Sequence, residues 1–253
     1  MVLRWTEQLG SAVVGGTERA GGVSEGPYAS LNLADHVGDE PAAVRENRRR
    51  VVEATGGTAL VLAQQVHGTS VQLVEEPFRG AAPEADALVT RTPGLVLGVL
   101  VADCTPVLVA DPEAGVVGVA HAGRRGMAGG VVPALLRGMA QQGARRMVAR
   151  VGPSICSRCY PVPLALREEV AAREPVTRSV SRTGEPSLDV AAGVLAQLRE
   201  GGVEVSEVPG CSAEDDELYS YRRSRTTGRY AGLAWLAVAP AAPEVATPSV
   251  SAP

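Results

Sequence analysis

Short apolar runs separated by Gly, Pro and Asp dominate the middle of the chain, and each is the length of a strand rather than a helix. They cover Ala59–Ala63, Val71–Val74, Ala87–Val89, Leu95–Ala102, Val107–Ala110 and Val116–Ala120, the pattern of strands joined by tight turns. Helical spacing shows in a few places. Ala42 to Ala54 reads as a helix, with Asp39 as its N-cap, Pro41 in the first turn and Gly56-Gly57 as its stop. Gly130–Gln142, Leu164–Arg173 and Leu188–Glu200 read as three more helices, and Met147–Val151 as a strand between the first two. Further strands are predicted near Val203–Val208, Leu218–Tyr221 and Ala231–Ala239. Near the start, Gly15-Gly16 and Gly21-Gly22 bracket a predicted loop.

Strands clustered between fewer helices favour an α+β layered fold over a regular βαβ alternation. No repeat or linker divides the 253 residues, so a single domain over 1–239 is expected. Residues 240–253 are rich in Ala, Pro, Ser and Val with one charge, Glu244, and are expected to form a disordered tail.

Composition narrows the function classes. Apolar residues are 45 % of the chain but aromatics only 3 %, so the core must be packed with Val, Leu and Ala. All 24 basic residues are arginine, which excludes lysine Schiff-base chemistry and a P-loop lysine. A net charge of −4 argues against a general nucleic-acid coat. No apolar run reaches the length of a membrane span, and the start, Met-Val-Leu-Arg-Trp-Thr-Glu, is too polar for a signal peptide. Four unevenly spaced cysteines do not form a disulfide framework, so a reducing cytoplasm is the expected compartment. Nothing in the sequence sets an oligomeric state, and a monomer is the default expectation.

Candidate chemistry sits in three islands: Gln-Gln-Val-His-Gly around His67, Val-Ala-Asp-Cys-Thr-Pro around Cys104, and Ala-His-Ala-Gly-Arg-Arg-Gly around His121. These hold two of the three histidines and one of the four cysteines. Two imidazoles and a thiolate can hold zinc with one coordination position open, and an open zinc activates water or polarises a substrate oxygen. Each candidate ends an apolar run, where distant residues can converge on a rigid sheet edge. The separations of 37 and 17 residues match no local zinc motif. A cysteine in such a place can equally be an apolar filler, and a histidine a hydrogen-bonded structural residue. Asp103, which interrupts a buried run, and Gly68 and Gly123, which permit close approach, favour a site.

The ordered motifs extend well beyond the islands. They include Gly-Gly-Val-Ser-Glu-Gly-Pro-Tyr-Ala-Ser-Leu-Asn-Leu (21–33), His-Val-Gly-Asp (36–39), Glu-Asn-Arg-Arg (46–49), Gln-Val-His-Gly (65–68), Ala-Asp-Ala (85–87) and Ala-Asp-Cys-Thr-Pro-Val (102–107). His-Ala-Gly-Arg-Arg-Gly (121–126), Gly-Pro-Ser-Ile (152–155), Tyr-Ser-Tyr-Arg-Arg (219–223) and Thr-Gly-Arg (227–229) complete the set. With these, the chain resembles the laccase-domain or polyphenol-oxidase-like family, whose members are described as purine nucleoside phosphorylases and some as peptidoglycan editing factors. The resemblance implies a layered α/β/β/α sandwich with mixed sheets. It implies that His67, Cys104 and His121 bind one Zn2+ per chain. It also implies phosphorolysis of adenosine, inosine and methylthioadenosine together with adenosine deamination, with a nucleoside and phosphate as the partners. The chain departs from the family pattern at Arg124 (usually Trp), Cys156 and Arg158 (usually Gly and Cys) and Pro161 (usually Glu), which bears on substrate preference more than on metal binding.

Roles follow as expectations. Deamination would use zinc-activated water at C6 of adenine, with Asp103 as the proton shuttle or, in the plainer reading, a turn former. Phosphorolysis needs a cationic cradle, for which Arg48 and Arg125 are candidates, each of which could instead be a surface ion-pair residue. His36 could contact substrate or serve a structural hydrogen bond. Cys156 and Cys159 form a C-x-x-C without a second pair, and with Cys211 alone unable to complete a four-ligand site they are read as bystanders. The alternatives are a zinc amidase editing serine-containing muramoyl cell-wall precursors, a metal-free Cys104/His121 hydrolase and a non-catalytic binding module. A multicopper cluster needs many more imidazoles than three.

Overall fold

The computed structural model describes residues 1–238, so the 240–253 tail prediction and the last position of the final strand lie outside it. The chain runs β1 (Leu3–Leu9), β2 (Ala12–Thr17), α1 (Pro41–Thr55), β3 (Ala59–Val61), β4 (Val71–Leu73), β5 (Ala87–Thr90), β6 (Leu95–Val101), β7 (Thr105–Asp111) and β8 (Val116–Ala122). It continues with α2 (Arg124–Gly129), α3 (Val131–Gln141), β9 (Val148–Val151), α4 (Leu164–Arg173), β10 (Arg178–Val180), β11 (Pro186–Leu188), α5 (Val190–Glu200), β12 (Glu204–Glu207) and β13 (Tyr230–Leu236). One sheet has the order β1-β2-β13-β6-β3, the other β12-β9-β7-β8-β5-β4, and β10 and β11 form a separate hairpin. Each large sheet is mixed: β3 runs parallel to β6, β4 to β5 and β12 to β9, and the other pairings are antiparallel.

The unbroken apolar runs have a simple cause, since their strands are covered on both faces. Along β7, Leu108 and Ala110 face the second sheet, while Val107 and Val109 pack on the helix side with Leu135, Met139 and Val194. Along β6, Leu95, Leu97 and Val99 turn to the inter-sheet layer and Val96 and Leu100 to the outer core with Val51. Three stacked cores separate α1, sheet, sheet and the α2–α5 group, which is the layered α/β/β/α arrangement of an α+β protein.

Local predictions differ at informative points. The N-terminal hairpin β1–β2 was not expected, because Gly15 and Gly16 read as loop. They lie inside β2, where a Cβ on Gly16 would stand 2.7 Å from Trp5 Nε1 and one on Gly15 2.8 Å from the Trp5 carbonyl oxygen. The indole of Trp5 requires the glycine at 16, and close approach of the β1 backbone the one at 15. Glu40, not Asp39, occupies the N-cap of α1, and Asp39 instead accepts from Ser24 Oγ at 2.6 Å and Asn32 Nδ2 at 2.9 Å. The predicted Leu188–Glu200 helix begins only at Val190, because the Asp189 side chain caps it by accepting from Ala192 N at 2.9 Å. Leu218, Tyr219 and Ser220 are buried and Tyr221 is exposed, and the stretch is not a strand. The Leu218 carbonyl accepts from Arg223 Nη2, and Tyr219 Oη donates to the Tyr28 carbonyl at 2.5 Å, so side chains replace a ladder.

Candidate metal centre

The three sequence islands converge at one end of the inter-sheet layer. Cys104 follows β6 and opens β7, His121 lies near the end of β8, and His67 sits in the loop before β4. Donor atoms of all three lie within 4.8 Å of one another, with Cys104 Sγ 3.8 Å from His67 Nε2. The two imidazoles meet edge to face, their centroids 4.7 Å apart.

One carboxylate sets this geometry. Asp86, fully buried just before β5, accepts from His121 Nδ1 at 2.8 Å and from His67 N at 2.9 Å through Oδ1. Its Oδ2 accepts from Gly68 N at 2.6 Å and Val66 N at 3.2 Å. The carboxylate can only accept, so His121 Nδ1 carries a proton, and in the neutral imidazole the Nε2 lone pair faces the site. The same bonds hold the 66–68 backbone while His67 takes φ +59°, a left-handed conformation that a non-glycine residue keeps only when its surroundings impose it. Gly123 gives the donors room: a Cβ there would stand 2.7 Å from His67 Cδ2 and 3.1 Å from Cys104 Sγ.

Electrostatics couple the Cys104 thiol to His121. Burial works against ionising the Cys104 thiol, but the neighbouring His121, then His67, outweigh it and bring it down to about 6. Burial likewise disfavours the His121 cation, yet the Cys104 charge and Asp86 raise its pKa to about 9. Two imidazoles, a readily ionised thiol and a carboxylate behind one histidine fit a divalent cation of borderline softness.

Asp103 is placed differently from a free proton shuttle. It adopts φ +102° at the crossing from β6 to β7. Its Oδ1 accepts from Ser212 Oγ at 2.7 Å and Ser220 Oγ at 2.6 Å, its Oδ2 from Arg222 N at 2.6 Å, and its carbonyl from Ile155 N at 2.9 Å. These bonds tie the turn that presents Cys104 to the 211–224 loop.

A cavity of about 520 Å³ opens onto the donors. Leu100, Val101 and Ile155 give it an apolar wall, Tyr160 and Tyr221 aromatic faces, and Arg124, Arg222, Arg225 and Arg229 a cationic rim. None of these four arginines has a carboxylate partner among the described residues. Arg222 lies over Tyr160 at 4.8 Å and Arg225 over Tyr221 at 4.9 Å. His36 also lines the cavity. Arg48 does not; its Nε donates to the Leu33 carbonyl at 2.9 Å and its guanidinium pairs with Asp35 at 3.1 Å. Arg125 borders an adjacent cleft shared with His67 and Arg124. Sequence reasoning gave no role to Asp86 or to Arg222, Arg225 and Arg229, although Ala-Asp-Ala and Tyr-Ser-Tyr-Arg-Arg stood out as motifs. The signal present was a charge ending an apolar run and an arginine cluster beside a tyrosine.

A second donor group lies outside this cavity: Cys156, Cys159, Cys211 and Glu214 also bring one donor atom each within 4.8 Å of the others.

Comparison with known proteins matches this architecture. A family model described as multi-copper polyphenol oxidoreductase laccase covers residues 13–237. The chain is 49 % identical over 236 residues to the purine nucleoside phosphorylase of Streptomyces coelicolor, spanning 91 % of this chain and 98 % of that protein. It is 47 % identical over 225 residues to a Mycobacterium tuberculosis protein of the same name, spanning 87 % and 90 %. The crystal structure of the Neisseria meningitidis DUF152 protein superposes with a TM-score of 0.84 at 33 % identity, over 94 % of this chain and all of that one. The chain belongs to the laccase-domain family.

Proposed function

We propose that the protein is a zinc-dependent purine nucleoside phosphorylase that also deaminates adenosine. The observation that carries this reading is a single cavity shared by a His/Cys/His donor set and four arginines without carboxylate partners. The names of the Streptomyces and Mycobacterium relatives support it. The family description invokes several coppers, but three histidines cannot furnish such a cluster.

His67, Cys104 and His121 would hold the zinc, which when bound supplies a Lewis acid and lowers the pKa of water. The chain does the rest. Arg222, Arg225 and Arg229, on the loop before β13, present planar forks suited to phosphate oxygens. Held there, phosphate forms the bond to C1′ of the sugar as the bond from C1′ to the base nitrogen breaks. Tyr160 and Tyr221 offer faces to the purine, and the Leu100–Val101 wall excludes water. A volume of about 520 Å³ suits a nucleoside with phosphate.

Asp103 serves as a positioning residue that fixes Cys104 and the arginine loop. Arg48 holds the His36 loop from behind, and Arg125 adds positive potential at the neighbouring cleft. Arg124 adds a further cation to the cavity rim. Four unpaired cysteines suit the reducing cytoplasm; among the described residues no helix is long and apolar enough to cross a membrane.

The test is incubation of adenosine, inosine and methylthioadenosine with and without phosphate. Free base and ribose 1-phosphate (or its methylthio analogue) appearing only with phosphate establish phosphorolysis, and inosine or hypoxanthine from adenosine establishes deamination. No turnover of any nucleoside, with serine released from a muramoyl precursor, would replace this reading with the editing amidase.

A further inference from the structure

We propose that Cys156, Cys159 and Cys211, with the Glu214 carboxylate, form a second metal site that binds zinc and staples the two loops walling the cavity. The four donors come from segments 55 residues apart: the 3-10 turn Ser157–Cys159 with the preceding Cys156, and the irregular loop after β12. Their donor atoms all lie within 4.8 Å of one another. Ideal tetrahedral zinc with sulfur at about 2.3 Å places donors about 3.8 Å apart, so a small contraction closes the set.

The surroundings are those of a metal thiolate rather than of scattered thiols. Cys156 N donates to Cys211 Sγ at 3.3 Å, and Arg182 Nη2 donates to Cys159 Sγ at 3.3 Å while pairing with Glu214. Backbone N–H and cation contacts of this kind orient ligands and offset the charge of several anionic donors. On binding, three S–Zn bonds and one O–Zn bond form, and the three thiol protons pass to solvent.

The position gives the site a purpose. Ile155 and Tyr160 flank the first pair of cysteines and line the cavity. Ser212, next to Cys211, donates to Asp103, whose other oxygen holds the Arg222 backbone. A metal here therefore fixes both the aromatic wall and the arginine loop, without touching the His67 group.

The experiment is metal analysis of the full chain purified without chelator, wild type beside Cys104→Ala, Cys211→Ser and the double variant. One zinc for each of the two donor groups is expected in the wild type, one in either single variant and none in the double. Cobalt(II) loading of Cys104→Ala should retain a strong thiolate-to-metal charge-transfer band that the added Cys211→Ser abolishes. Glu214→Gln, an exposed change that spares the fold, should keep that band but lose the ion sooner to a competing chelator. A single zinc that vanishes entirely in Cys104→Ala overturns the proposal. So does a disulfide among the three cysteines detected by intact mass, or iron–sulfur absorption. Because Cys104→Ala keeps the second group intact, failure here is separable from failure of the nucleoside reading.

Discussion

His67, Cys104 and His121 are delivered by backbone that two packed sheets and Asp86 already fix, whereas Cys156, Cys159, Cys211 and Glu214 ride on a short turn and an irregular loop. Both groups bring donor atoms within 4.8 Å, yet the order they start from differs. In the first, hydrogen bonds of a fully buried carboxylate and strand pairing hold the donors before any ion arrives. In the second, few ladder bonds constrain the segments, so much of the order must come from the ion itself, as in small zinc-folded modules. The difference separates a site preorganised for chemistry from one that serves as a fastener.

The largest expected effect tests the first half of that contrast. Cys104→Ala should reduce nucleoside turnover by more than the ~100-fold that loss of an outer partner costs, with the thermal midpoint little changed. Activity lost while the His67 site keeps its zinc would instead make Cys104 a nucleophile. Asp86→Asn comes next. Metal affinity at the first site should fall by about 10–100-fold, because the His121 tautomer and the 66–68 loop lose their anchor. The protein should also lose about 1–3 kcal/mol through backbone N–H groups left poorly paired. Competition with a chelator and thermal melts read the two separately, and unchanged affinity would mean that the loop holds itself.

Gly123→Ala should act on the metal alone. The added methyl meets His67 Cδ2 at 2.7 Å and Cys104 Sγ at 3.1 Å, so donors must shift and affinity should drop by about tenfold, at the lower end of outer-partner losses. The second group should keep its ion. If both groups lose metal together, the two are coupled and the contrast fails.

The sequence made much of the first group legible. Cys104 and His121 sit at strand ends, rigid places that sequence pattern can find, while His67 ends an apolar run in the loop that Asp86 holds. Asp86 was harder, since its role depends on four hydrogen bonds that assemble only when the 66–68 loop folds over β5. Cys211 was harder still. It pairs with Cys156 across 55 residues through a loop with no periodicity, so spacing offers nothing to read. The N-terminal hairpin was hidden for another reason: Gly15 and Gly16 carry the marks of a loop but answer to the packing of Trp5.

The smallest effect on metal, none at all, comes from a carboxylate remote from both groups, and it checks that stability and metal content can be moved independently. Asp111 ends β7 fully buried, accepting from Glu113 N at 3.1 Å, Ala114 N at 3.0 Å, Arg145 N at 2.5 Å and Arg146 N at 2.8 Å. Burial opposes its ionisation, but these backbone donors outweigh burial and hold its pKa below the ordinary 3.8. A depressed folded pKa means that the unfolded chain takes up the proton first as pH falls. Its stabilisation is therefore fully present above about pH 4 and is lost as pH drops through the folded value. Asp111→Asn should cost about 1–3 kcal/mol near neutrality, and the gap to wild type should narrow below about pH 4. Denaturant melts across that range measure it. A gap that stays constant into acid would mean that packing of the side chain, not its charge, carries the stabilisation, while a change in zinc content would show that the β7–β8 turn reaches the metal after all.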